Sequence, residues 1–227
     1  MPQDVTLQVY RFSELTGKAR ERAKDWWIEC SGHITSDQIH QMLIERLFEA
    51  GYPTLSVEFS LSWRQGDGVA FYTDCKNWQP EQAKHSPWRY LPESYRTRWV
   101  DLRRLWRTRI RSQYKKDDRR RMYQLMAAGM TIGISIAKNS YGHHYSHYNT
   151  MAVSVEIQDW PDAGTKEVEA LVKDFEETIQ ADVKELSKEL EAAGYKEIEH
   201  QTSDENVTAD MESNEILFHA DGRVFHE

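Results

Sequence analysis

The chain has 227 residues, a net charge of −8, 29% charged and 39% hydrophobic residues, enough for one sizeable core and too apolar for a disordered chain. No run of 18 apolar residues occurs, which excludes a transmembrane helix, and the N-terminus lacks the basic and apolar regions of a signal peptide. Cys30 and Cys75 match no zinc spacing and point to a reduced, cytoplasmic setting.

In chain order, Thr6 to Phe12 predicts a first strand. Ser13 then caps a helix with Leu15, Ala19, Ala23, Trp26 and Trp27 on one face, ending at Gly32. A second helix is expected from Ser36 or Asp37, with Ile39, Leu43 and Leu47 inward and Gly51 as its stop. Leu55, Val57, Phe59 and Leu61 alternate as a half-buried strand, and Val69, Phe71 and Thr73 give the next. Between them lies the turn Gln65-Gly66-Asp67-Gly68, where glycine tolerates positive φ.

Three prolines make the start of the segment from Lys76 to Gly129 irregular. Tyr95, Trp99, Leu102, Trp106 and Ile110 then form a helical stripe, and Asp117 to Ala128 gives a second helical piece. Strands follow at Thr131 to Ala137 and Met151 to Gln158, joined by "KNSYGHHYSHYN". Apolar residues recur at helical spacing from Thr165 to Ala193, with Gly194 as the stop. Tyr195 to His200 reads as a strand, Ser203 or Asp204 caps a short helix, and "EILFHADGRVF" closes as a hairpin. This order predicts an α+β protein. Its mostly antiparallel sheet carries packed helices, with residues 1–75 and 130–227 as the core domain. A basic helical insertion, 76–129, separates two hairpin strands.

Charge is unevenly placed. Lys84 to Arg121 carries 14 Lys and Arg against 4 Asp and Glu, whereas Asp162 to Glu227 carries 19 acids and 6 bases. Arg96, Arg103, Arg107 and Arg111 fall near one helical face, with Arg104 and Arg109 beside them and Trp99 and Trp106 interleaved. Arginine suits phosphate, and aromatic rings suit bases or a partner groove, so a nucleic acid or a nucleoprotein is the expected partner. The plainer reading is a solvated basic face neutralised by the acidic half. The long acidic helix leaves room for a homodimer.

The second candidate is the turn with the His loop. Asp67, with Gln65, could bind a metal or act as a general base, and His143, His144 and His147 are metal-ligand types. Their spacing fits no metal signature, so no cofactor is expected beyond a candidate divalent ion. If loop and turn share a cleft, a metal-dependent or general acid–base hydrolase of a nucleotide or phosphodiester is the alternative function, with Asp67, Gln65, His144 and His147 as catalytic candidates. The plainer reading is an Asp-Gly turn whose carboxylate accepts local N–H groups.

Four segments, "YRFSELTGKARERAKDWW", "FSLSWRQGDGVAF", "GHHYSHYNTMAV" and "SDENVTADMESNEILFHADGRVF", carry a resemblance. The chain resembles accessory proteins of tailed bacteriophages with a W-x-Q-G-D-G hairpin and a C-terminal F-x-x-D-G hairpin; the basic insertion has no place in that pattern. The resemblance implies a protein of the host cytoplasm that works by binding host machinery, a host nucleoprotein or a defence complex, as an anti-defence inhibitor. A third expectation is an antitoxin-like partner or structural dimer with no ligand.

Overall fold

The computed structural model describes residues 7–50, 52, 56–78, 93–113, 119–128, 132–139, 145–157 and 166–226. The fold is α+β. Its elements are β1 (Tyr10–Arg11), α1 (Gly17–Glu49), β2 (Ser56–Ser60), β3 (Gly68–Trp78), α2 (Glu93–Gln113) and α3 (Arg119–Ala128). They continue with β4 (Ile132–Lys138), β5 (Met151–Ile157), α4 (Lys166–Gln201), α5 (Asp204–Ser213) and β6 (Leu217–Phe218). The chain divides into two compact units, Met1–Met42 with Ala193–Glu227, and Leu43–Ala192.

The larger unit holds an antiparallel sheet in the order β2-β3-β4-β5. The alternation Val57, Val69, Phe71 and Thr73 places these side chains in the interior, as do Ile134, Ile136 and Val153 on the later strands. α4 contributes Phe175, Ile179, Val183 and Leu190 to that core. Its side chains also close the edge of β5: Val153 N–H donates to Gln180 Oε1 at 3.0 Å, Gln180 Nε2 donates to the Met151 carbonyl at 3.4 Å, and Val155 N–H donates to Glu176 Oε1 at 3.3 Å. β4 pairs with β3 from Thr73 onward. The first half of β3 therefore finds partners elsewhere: Ser187 Oγ donates to the Val69 carbonyl at 2.5 Å, and Phe71 N–H donates to Met151 Sδ at 3.2 Å.

The smaller unit packs Phe12, Leu15 and Ala23 against Val207, Met211 and Phe218. β1 pairs antiparallel with β6, and the Asp221-Gly222 turn brings Val224 back onto Phe218. Gly222 sits at φ +83°, and a Cβ there would lie 2.1 Å from the Ala19 carbonyl oxygen of α1. The turn can approach the helix because this residue has no side chain.

Three expectations change. The predicted first helix begins with a short 3₁₀ turn, Phe12–Glu14, and α1 starts at Gly17. Gly32 does not stop it, since α1 runs unbroken to Glu49 through the expected cap at Ser36. Ser31 Oγ donates to the Trp27 carbonyl and Thr35 Oγ1 to the Ser31 carbonyl, so these hydroxyls are satisfied inside the helix instead of capping one. Likewise α4 continues past Gly194 to Gln201, and the segment expected as a strand is helical, supported by Gln201 Nε2 donating to Glu197 Oε1 at 2.7 Å. A helix-interior glycine costs about 1 kcal/mol, less than two long helical runs supply. Ser203 caps α5 as expected, accepting Asn206 N–H at 3.2 Å.

Candidate functional site

The turn between β2 and β3 is organised by one carboxylate. Asp67 Oδ2 accepts the N–H groups of Ser62 at 2.6 Å and Arg64 at 2.7 Å. Its Oδ1 accepts the hydroxyls of Ser60 at 2.8 Å and Ser62 at 3.2 Å. A carboxylate offers about four acceptor positions, and four donors from the turn converge on this one. The two N–H groups flank Trp63, which is held at φ +60°, a left-handed conformation uncommon for so bulky a residue. Asp67 thus acts as the Asx-type clamp of the turn.

The loop leading into β5 lies directly against this turn. A Cβ on Gly66 would meet the Tyr145 ring at 2.6 Å, and one on Gly68 would meet His147 Cβ at 2.6 Å and the Ser146 carbonyl oxygen at 3.0 Å. Both glycines have positive φ, +95° and +154°. Two requirements, backbone conformation and close approach, coincide at each position. Ser146 Oγ also reaches Glu58 Oε2 at 3.4 Å, where Lys138 Nζ donates at 2.6 Å. His147 opens a 3₁₀ turn, Tyr148–Thr150: its Nδ1 accepts Asn149 N–H at 3.1 Å, which places the proton of the neutral ring on Nε2.

Gln65, Gly66, Asp67, Tyr145, His147, Tyr148 and Asn149 enclose a cleft of about 550 Å³. The three rings are contiguous, with centroids 6.4 Å apart for Tyr145 and His147 and 5.5 Å for His147 and Tyr148. Glu191 of α4 belongs to the same electrostatic neighbourhood. Its carboxyl titrates above the ordinary range, first because of burial and second because of the Asp67 charge, while His147 pulls the other way. Lys188 Nζ, one helical turn earlier, lies 5.3 Å from the Tyr148 ring centroid.

The second candidate surface is α2 with α3. Leu102, Trp106 and Ile110 are buried, and Trp106, 2% exposed, fills the interior instead of facing a partner. Its Nε1 is buried with no hydrogen-bond partner among the described residues. Arg104, Arg107 and Arg111 are exposed, and Arg103 and Arg109 half-buried. Arg104 makes a long contact with Asp101, 3.8 Å. Arg119, Arg120 and Arg121 open α3 and are exposed. Of Arg96 and Trp99 the backbone alone is described, within α2.

Residues 39–206 match the model of the family described as a domain of unknown function, DUF8835, well over half of the chain. The chain belongs to this family. No curated protein and no solved structure matches it. The DUF8835 match contains every cleft residue and both basic helices, and stops before β6.

Within this DUF8835 chain the structure brings Gln65, Asp67 and His147 together, 80 residues apart in sequence. His143 and His144 lie outside the described residues. Among the described residues no group of three or more His, Cys, Asp and Glu could hold a metal ion, and no helix is long and apolar enough to cross a membrane. Tyr145, Tyr148, Asn149 and Glu191 were missed by sequence reasoning. The first three stand in the His and Tyr loop and become legible once its contact with the turn is known. Glu191 is one acid among many on α4 and carries no local signal.

Proposed function

We propose that this protein works by binding, and that α2 and α3 form the contact surface for a nucleic acid, free or within a nucleoprotein. One observation carries the reading: α2 buries its Leu102–Trp106–Ile110 stripe and turns Arg104, Arg107 and Arg111 outward, with Arg119 to Arg121 continuing the exposed charge on α3. A helix anchored on one side and lined with guanidinium groups on the other suits a phosphate backbone, because Arg stays charged and binds phosphate through a fork of donors. The acidic remainder of the chain limits unselective binding, which favours a defined nucleoprotein over bulk DNA. The setting, a host or defence complex met in the host cytoplasm, rests on the resemblance to phage accessory proteins.

The hydrolase alternative needs a carboxylate able to take a proton or a metal. The four donors on Asp67 support a structural role for it instead.

The test is the triple variant Arg104→Gln/Arg107→Gln/Arg111→Gln. Binding of labelled duplex and single-stranded oligonucleotides is followed across a salt series, beside capture from host lysate with and without nuclease. Loss of three phosphate contacts lowers the salt slope on duplex by roughly 2.7 and weakens binding at low salt, with the circular dichroism spectrum unchanged. Unchanged capture and unchanged slope would sink the proposal.

A further inference from the structure

The cleft beside the Asp67 turn has features that the α2–α3 reading does not use. Its walls are preformed. The turn is clamped by the Asp67 carboxylate, and the Tyr145 ring is seated on Gly66, where any side chain would displace it. Tyr145 is nonetheless 51% exposed, so it keeps open surface beyond its contact with the turn. Among the described residues neither the Gln65 nor the Asn149 side-chain amide has a hydrogen-bond partner, although the Asn149 backbone is fixed at both ends. Its N–H goes to His147 Nδ1 and its carbonyl accepts Asn139 Nδ2 at 2.8 Å. A ring platform with two free amides, each both donor and acceptor, matches a flat ligand with a mixed donor and acceptor edge.

Charge and saturation narrow the class. The described lining residues include no Lys or Arg, the neighbouring Lys188 is paired with Glu185 at 2.8 Å, and Asp67 and Glu191 place two carboxyl groups nearby, so the charge around the cleft disfavours phosphate. A sugar's vicinal hydroxyls are held best by a pair of carboxylate acceptors, and of the two nearby carboxyl groups Asp67 already accepts four donors from the turn. A volume of about 550 Å³ accommodates a base with its ribose. We propose that this cleft binds the heteroaromatic base of a nucleoside or of a single-stranded nucleic acid, with Tyr145 stacking on the ring and the Gln65 and Asn149 amides reading its edge. The inference does not depend on the α2–α3 surface.

The experiment is saturation-transfer NMR on the full chain. The probes, at millimolar concentration, are adenosine, guanosine, cytidine, uridine, the corresponding triphosphates, a short oligothymidylate and methyl glucoside. At least one nucleoside is expected to bind saturably, with its triphosphate no tighter. Tyr145→Ala should weaken binding tenfold or more, Asn149→Ala should weaken it and change which base is preferred, and Tyr145→Phe should retain it. Binding of the oligonucleotide alone, lost in Tyr145→Ala, upholds the base as ligand and identifies a strand as its source. The triple Arg variant separates the two surfaces, because nucleoside binding survives in it. The inference is overturned if no nucleoside or oligonucleotide binds. It is equally overturned if methyl glucoside is the ligand, if binding is unchanged in Tyr145→Ala and Asn149→Ala, or if oligonucleotide binding is lost only in the Arg variant.

Discussion

Replacing Asp67 with alanine removes the acceptor for four hydrogen bonds at once, from Ser60, Ser62 twice, and Arg64. Ser62 and Arg64 are exposed, so water takes over their N–H groups and each backbone bond counts near the ordinary net value of about 1 kcal/mol, not the larger figure for a buried charged pair. The hydroxyl bonds add less, since both serines can rotate to water. Against this stands release of Trp63 from its left-handed conformation, a relief of about 1 kcal/mol. The net loss for Asp67→Ala is about 2 kcal/mol, a fall in Tm of roughly 4–8 °C for a chain of this size. Asp67→Asn behaves differently. Its remaining oxygen, placed at the Oδ2 position, keeps both backbone bonds, and the two serine hydroxyls can accept from the new amide. Its loss is therefore under about 1 kcal/mol. Urea unfolding of the three proteins, followed by circular dichroism, gives the order native, Asn, Ala in midpoint at constant slope. A midpoint for Asp67→Ala equal to that of the parent would refute the clamp. An Asn variant of native stability that loses ligand or partner binding would show that the carboxylate acts on something outside the turn.

Three further outcomes follow from the packing and charge. Gly32 lies inside α1 with open space where a Cβ would go, so Gly32→Ala raises stability by about 1 kcal/mol in a thermal or urea melt; a lower midpoint would contradict the continuous helix. Gly222→Ala must place a Cβ against the Ala19 carbonyl at positive φ, and it lowers stability by about 3 kcal/mol, left-handed strain accounting for 1–2 of these; hydrogen exchange then rises in β1, β6 and α5 before the larger sheet. Glu191 titrates above its unfolded value, so its neutral form favours folding at low pH and that contribution disappears as pH rises through the folded-state value. Glu191→Gln therefore raises Tm at pH 7, and the difference closes below about pH 4; a lower Tm at neutral pH would show that the charged form is the stabilised one.

The sheet was legible because Val57, Val69, Phe71, Thr73, Ile134 and Ile136 alternate, and alternation depends on local pleat geometry. Helix ends were less so. Gly32 and Gly194 read as stops, yet a single glycine weakens a helix by less than the neighbouring turns support it, and no local residue records that balance. The α2 stripe was found from its spacing, but only the fold separates Trp106, which is buried, from the exposed arginines beside it. The turn itself was visible in Gln65-Gly66-Asp67-Gly68. That Tyr145 and His147 would rest on its two glycines was not, because a contact across about 80 residues leaves no periodic trace. The glycines are the residue-level record of it, and their meaning appears once the partner rings are seen.

The side chains that close β5 have a consequence for how this protein can meet others. An exposed strand edge is a template onto which a foreign peptide or a second copy can be added. Here Gln180 imitates the missing strand, accepting from Val153 and donating to the Met151 carbonyl, while Glu176 accepts from Val155. A recruit would have to pull α4 away, and with it Phe175, Ile179 and Val183. This margin of the sheet is therefore closed to strand addition and to the templated stacking that leads to fibres.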